Sequence, residues 1–281
     1  MLGVVDIGGT KIATARVDAS GALVDRREEP TAPELGFDHA LSRIRAMMGQ
    51  VDGVSIGTTG PVDRETGVYG KVDLLPGWEG RSLRAAFDVP VVIENDADCA
   101  ALGEATSGAG RGVGRFVYVT VSTGIGGGIV LDGAIYRGAN GAHPEIGHHM
   151  IEASGPPCPC GARGCWEVLA SGPALAREGL DAAGVCHEAR RGTEWARVAV
   201  ERVAFYLGVG VANVMTAYAP RTIALGGGVM KSYELFIDRI REVVGRCVTL
   251  VPPATIVPAS LGADAVLHGA VRAFALERGA S

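Results

Sequence analysis

A chain of 281 residues, 47% of them hydrophobic and 20% charged, holds enough apolar material for one large or two medium globular cores. Its 26 Lys and Arg against 31 Asp and Glu leave a formal charge of −5, which argues against a general nucleic-acid binder. Glycine alone is unusual: its 42 copies are roughly twice average usage and clustered rather than periodic, so collagen and linker readings fail and tightly turned backbone remains.

No basic n-region or long apolar h-region opens the chain, so no targeting segment is expected, and six cysteines without one speak for a reducing compartment, the cytoplasm. Leu2 to Val5 is an apolar run that reaches Asp6-Ile7-Gly8-Gly9-Thr10-Lys11, after which Ile12 to Val17 resumes with β-branched residues and Asp18 to Gly21 turns the chain. This reads as strand, glycine loop, strand. A Rossmann or Walker loop would need a helix after the glycines. Helices are expected near Phe37–Met48 and Asp96–Thr106, and strands near Val51–Ile56 and Val89–Ile93. The glycine-rich stretch from Ala105 to Arg115 marks a boundary, giving domains 1–110 and 111–281.

Strand, loop and strand then recur: Phe116 to Val121, Ser122 to Gly128, and Ile129 to Leu131 closed by an Asp132-Gly133 turn. Two such units about 115 residues apart suggest halves built alike, and strands alternating with helices argue an α/β fold. Val203 to Ala219 carries no charge, but it contains Gly208, Gly210 and Asn213 and sits at the short end of the membrane-spanning range, so a buried core helix is expected. A third variant, Thr222 to Leu225 followed by Gly226-Gly227-Gly228, leads into a helix from about Lys231. Asp264–Leu276 is helical by pattern and packs back on either domain.

Three segments carry chemistry. Gly8 and Gly9 leave backbone N–H groups unobstructed beside the Thr10 hydroxyl and the Lys11 ammonium, an anion-binding concavity suited to phosphate; Asp6 could hold Mg²⁺ there. One such loop alone could equally be an ordinary hairpin, but the second glycine loop strengthens the phosphate reading. Asn95-Asp96 opens a helix, where the dipole favours an ionised carboxylate, as a general base requires; a plain N-cap is the alternative use of Asp96. Cys158, Cys160 and Cys165 put three thiols within eight residues. Soft thiolates select zinc, and a structural zinc wants four ligands, the fourth being His143, His148 or His149. Cys99, Cys186 and Cys247 read as core thiols.

DIGGTK, ENDADCAALGE, STGIGGGI, PEIGHH and CPCGARGCWE occur in order from Leu2 to about Gly228, and in this the chain resembles the ROK family of sugar kinases and regulators. The resemblance implies a two-domain, actin/hexokinase-like (ribonuclease H-like) ATPase fold with mixed sheets flanked by helices. It implies ATP with Mg²⁺ held by Asp6, Gly8, Gly9, Thr10, Lys11, Thr123, Gly124, Gly126 and Gly127, with Gly226, Gly227 and Gly228 at the adenosine. Asp96 matches the catalytic base. Asn95, Glu145, His148 and Glu167 match sugar ligands, and Gly60 and Asp73 fall near further sugar contacts. His148 becomes the fourth zinc ligand beside Cys158, Cys160 and Cys165, its second nitrogen facing the sugar.

Glucose is the expected hexose, ahead of fructose, which His143-Pro144-Glu145 favours, and N-acetylmannosamine. Asp73 departs from the Asn that often precedes the Pro-Gly-Trp segment, which bears on hydroxyl recognition. The family also contains sugar-sensing repressors, but a phosphate loop at residue 6 leaves no room ahead of it for a helix-turn-helix. A nucleic-acid enzyme of related fold would need convergent carboxylates for two metals, which are not seen. The expected partners are a hexose and ATP, with no nucleic acid or membrane, in a homodimer.

Overall fold

The computed structural model describes residues Met1–Gly279 and divides them into two compact units. The first comprises Met1–Arg111, Gly133–Ile135 and the chain from Ala263 on; the second comprises Gly112–Asp132 and Tyr136–Gly262.

In the first unit β1 (Leu2–Ile7) and β2 (Lys11–Val17) form an antiparallel hairpin whose ladder closes at Ile7 and Ile12. β3 (Leu23–Pro30) pairs outside β2, while β4 (Gly53–Thr58) and β5 (Val91–Asn95) add in parallel on the other side, giving the order β3-β2-β1-β4-β5. The pattern along the chain does not mark β3, because an edge strand reading Leu-Val-Asp-Arg-Arg-Glu-Glu-Pro keeps its charges in water. Apart from Asp6, β1 is apolar because both faces are covered. Val5 and Ile7 join Ile56, Ile93 and the Phe37, Leu41 and Ile44 face of α1 (Phe37–Met48), while Val4 packs with Ala13, Ala15 and Leu267 on the opposite side. That side carries α2 (Asp96–Ser107) and the C-terminal α8 (Ala265–Glu277). The two helices approach closely at glycines: a Cβ on Gly269 would stand 1.6 Å from the Cys99 carbonyl oxygen, and one on Gly103 would stand 2.2 Å from that of Ala265.

The second sheet repeats this wiring. β6 (Arg115–Val121) and β7 (Ile125–Leu131) make the hairpin, β8 (Ala134–Ile135) follows β7, and β9 (Thr222–Gly226) and β10 (Thr255–Pro258) add in parallel, in the order β10-β9-β6-β7-β8. Two mixed sheets with helices on their faces are the fold expected from the sequence. Between β8 and β9 run α3 (Trp166–Ala170), α4 (Gly172–Leu175), α5 (Ala182–Arg190) and the long α6 (Glu194–Tyr218); α7 (Ile237–Cys247) precedes β10. Among the described residues α6 alone is long and apolar enough to cross a membrane, yet Val203, Ala204, Leu207, Val211 and Met215 are buried in the core with Val117, Val119 and Ile223. Gly210 admits the Trp166 indole, which a Cβ there would approach to 2.0 Å, and Gly208 admits Val243.

Two local expectations are corrected. The second glycine loop is only Ser122–Gly124, because Gly126, Gly127 and Gly128 already pair with Thr120, Val119 and Tyr118 as part of β7. A Cβ on Gly127 would lie 2.4 Å from the Tyr118 carbonyl oxygen and 2.5 Å from Ile146 Cδ1, so packing against its neighbours demands glycine here. The helix after Gly228 is an irregular 3-10 stretch, Val229–Leu235, broken at Ser232, and regular helix starts only at Ile237.

Candidate active site and metal centre

In the first unit the glycine loop Gly8–Thr10 is held from both sides. Gly8 N–H donates to the Lys11 carbonyl at 2.9 Å, and the buried Thr31 donates its hydroxyl to the Gly8 carbonyl at 2.6 Å and its N–H to Thr10 at 2.9 Å. Thr31 escapes sequence reasoning, since nothing links it to the loop until β3 returns beside β2. Lys11 pairs with Glu28 at 3.1 Å. Asp6, one residue before the end of β1, is pushed up to about 7, first by burial and then by the charge of Asp96, while Lys11 pulls the other way.

Asp96 is the first residue of α2, and the cap is Asn95: its side-chain oxygen accepts from Ala97 N–H at 2.8 Å and Asp98 N–H at 3.3 Å. Asp96 also accepts from Ala97 N–H at 2.8 Å. Capping therefore does not account for Asp96. Gly60 sits at φ 85° with Val72 so close that a Cβ would stand 2.5 Å from its Cγ2. Asp73 is exposed, 3.8 Å from an equally exposed Lys71. The segment between β4 and β5 is pinned by Tyr69, whose hydroxyl meets Thr58 Oγ1 at 2.6 Å, and by the buried Trp78, edge-on to Phe37 and Tyr69.

In the second unit Glu167, on the first turn of α3, ties two features together. Its Oε2 accepts from Ile125 N–H at 3.0 Å, and its Oε1 lies 4.0 Å from His148 Nε2. A Cβ on Gly124 would lie 2.4 Å from that Oε2, and one on Gly147 only 1.8 Å from the Ile125 carbonyl oxygen. The second loop, Glu167 and the histidine segment are thus one packed assembly, with Glu145 exposed at its margin and Thr123 exposed on the loop. Gly226 ends β9 beneath the Tyr118 hydroxyl. Gly227, at φ 91°, leaves no room for a Cβ beside the Val121 carbonyl oxygen, and Gly228 faces Ser122 Oγ. Packing against β6 alone therefore demands glycine at 226 and 227.

His148, Cys158, Cys160 and Cys165 bring one ligand atom each to within 4.8 Å of one another. His148 Nδ1 is 3.5 Å from Cys158 Sγ, and Cys160 Sγ is 3.6 Å from Cys165 Sγ. A tetrahedron with zinc–sulfur bonds of about 2.3 Å has edges of roughly 3.8 Å, so these four donors fit zinc. Burial and the neighbouring sulfurs push the Cys165 thiol up to about 12; a divalent cation would offset the cost of gathering thiolates here. Of the neighbouring pair, His148 is the histidine gathered with the three sulfurs; His149 Nδ1 bonds the Ile146 carbonyl and its ring lies tilted against Trp166, centroids 5.3 Å apart. None of the six cysteines forms a disulfide; Cys99 and Cys186 are buried core thiols, but Cys247, also expected in the core, is exposed because it lies at the end of α7.

The sequence model of the ROK family matches residues 2–277. A glucokinase of Halalkalibacterium halodurans is 34% identical over 276 residues, covering 85% of this chain and 83% of that protein. The crystal structure of a ROK hexokinase from Thermus thermophilus superposes with a TM-score of 0.84 at 33% identity, over 100% of this chain and 99% of that one. A ROK family glucokinase from Streptomyces griseus, in complex with glucose and AMPPNP, gives 0.83 at 31% identity over 96% and 97%. A xylose repressor of Bacillus subtilis is 30% identical over 94% of this chain and 74% of its own length.

Proposed function

This chain belongs to the ROK family, and from that premise we infer that it is an ATP-dependent hexokinase that transfers the γ-phosphate of ATP to the 6-hydroxyl of a hexose, glucose foremost. The observation that carries the reading is the start of α2. Asn95 caps the helix, so Asp96 is not needed as the cap, yet its carboxylate stands in the positive field of the first turn and within electrostatic reach of Asp6.

Phosphoryl transfer needs chiefly positioning and neutralisation of charge. The backbone N–H groups of Gly9 and Thr10, with the side chains of Thr10 and Lys11, hold phosphate oxygens; the Gly8 N–H instead closes the turn on the Lys11 carbonyl, and Thr31 keeps the loop in shape. Thr123, Gly124 and the start of β7 at Gly126 and Gly127 hold the remaining phosphates, and Gly226, Gly227 and Gly228 admit the adenosine. Asp6, once ionised, would hold Mg²⁺, which would neutralise phosphate charge. Asp96 accepts the proton of the attacking hydroxyl. Asn95, Glu145, His148 and Glu167 orient the sugar, with Gly60 and Asp73 shaping its surroundings.

Zinc at His148, Cys158, Cys160 and Cys165 would supply a rigid clamp and no chemistry of its own. A metal held there would fix the ring of His148, whose Nδ1 lies beside Cys158 Sγ and whose Nε2 lies 4.0 Å from Glu167 Oε1. Thiolates in such a site suit a reducing cytoplasm. The expected homodimer is checked by sedimentation equilibrium.

A coupled assay for ADP with ATP and a panel of hexoses tests the proposal. Glucose should give the highest kcat/KM, with fructose and N-acetylmannosamine behind it; no ADP with any sugar overturns the kinase reading and leaves a non-catalytic sugar sensor, which the xylose repressor's similarity would then favour. Asp96→Ala should lower kcat by about 10²–10⁴-fold while glucose binding persists.

A further inference from the structure

The start of the second sheet carries a feature the kinase reading does not use. Arg115 opens β6, and Arg221 immediately precedes β9, its N–H donating to the Arg115 carbonyl at 2.8 Å. The two are neighbours across a parallel pair in which Phe116 faces Thr222, so their side chains leave the same face on strands about 4.8 Å apart. Val117 and Ile223, two residues further along, point that face into the core beneath α6. The arginines thus stand where this core ends, at the C-terminal end of α6.

There they line a cavity of about 470 Å³ whose other walls are Pro220, Pro252, Pro253 and Asp132. Among the described residues neither guanidinium makes a hydrogen bond or ion pair, and the Asp132 carboxylate makes none either. Elsewhere in this protein arginines pair with carboxylates, as Arg190 does with Glu234 and Arg239 with Glu201.

We propose that Arg115 and Arg221 form a binding site for the phosphate of a phosphorylated polyol, a sugar phosphate, separate from the phosphate loops. Two arginines on the same face of neighbouring strands, both lining one cavity, bring two guanidinium groups to bear on a single anion, and each can donate to phosphate oxygens. A phosphate group fills only part of the cavity. The proline rings present apolar faces suited to the C–H side of a sugar ring, and Asp132 accepts hydrogen bonds from its hydroxyls. This chemistry matches the product class of a sugar kinase, so the site would sense accumulated product from a surface of the second unit. Only the sensing role depends on the kinase activity; the binding itself is open to calorimetry.

The experiment titrates glucose 6-phosphate into the full chain saturated with glucose and a non-hydrolysable ATP analogue, so that only a second site can respond. One equivalent should bind, with affinity falling as salt rises. Arg115→Gln and Arg221→Gln should each weaken it on the order of tenfold or more. Both variants should melt with the wild type, since the side chains are exposed. Asp132→Asn should weaken glucose 6-phosphate but leave binding of inorganic phosphate unchanged. No second binding event, or one indifferent to both arginines, overturns the site. Inorganic phosphate binding as tightly as the sugar phosphate overturns the polyol assignment. Loss of ADP formation in the separate kinase assay would leave this result standing.

Discussion

Asp6 should cost this protein stability at neutral pH, and the cost should vanish in acid. Its carboxyl is raised from 3.8 to about 7 by burial at the end of β1 and by the negative Asp96, against the pull of Lys11. A group whose folded pKa lies above its unfolded value binds more protons in the native state between the two. Stability therefore falls as pH rises from about 4 to about 7 and levels off above. The interval of about 3 pH units, at 1.36 kcal/mol each, sets an order-of-magnitude limit of about 4 kcal/mol at pH 8. Asp6→Asn removes the buried charge. It should stabilise the ligand-free protein by up to about 4 kcal/mol at pH 8 and by little at pH 4.5, while abolishing the Mg²⁺-dependent reaction. Urea unfolding of both proteins at the two pH values, followed by circular dichroism, measures the difference. If Asp6→Asn stabilises equally at pH 4.5 and pH 8, the burial argument is wrong. The same titration predicts that affinity for Mg²⁺-nucleotide weakens as pH drops below about 7, because a protonated Asp6 cannot hold a cation.

Gly269→Ala drives a methyl to 1.6 Å from the Cys99 carbonyl oxygen, so α2 and α8 must part; the cost should reach about 3 kcal/mol, read as a melting point lower by roughly 10 °C. Cys165→Ser should reduce bound zinc from one per chain to near none by metal analysis, and a chelator acting on the wild type should lower its melting temperature likewise. Glu167→Ala leaves the Ile125 N–H without its partner and His148 without its neighbour, so it should raise the KM for hexose more than tenfold; Glu167→Gln, still able to accept from Ile125, should lose less.

The candidate site residues are legible because each belongs to a short local pattern. Gly8-Gly9-Thr10-Lys11 is a hairpin turn whose shape follows from its own residues, Asn95-Asp96 starts a helix by local hydrogen bonds, and Cys158, Cys160 and Cys165 lie within one short turn of chain. Periodicity likewise carried α1, α2, α8 and the two hairpins, since spacing of 2 or 3.6 residues is written in adjacent positions. Choosing His148 over His149 needed either the family or the fold: the two are adjacent, and only the packed structure shows which one meets the three sulfurs while the other lies against the Ile146 carbonyl and Trp166.

What tertiary structure alone decided is where distant segments meet. The glycine excess proved to have several causes that composition merges. Gly127, Gly147, Gly210, Gly227 and Gly269 are glycine because a particular carbonyl oxygen, isoleucine or indole from elsewhere in the chain fills the place of a side chain. Thr31 supports a loop more than twenty residues away, and Arg115 stands beside Arg221 only because β6 and β9 pair in parallel across the whole of α6. Local sequence determines which turns, caps and ligand clusters can form, because those depend on neighbouring backbone. Which glycine is indispensable, and which charges share a surface, depends on strand order and helix approach, and those emerge only when the whole chain packs.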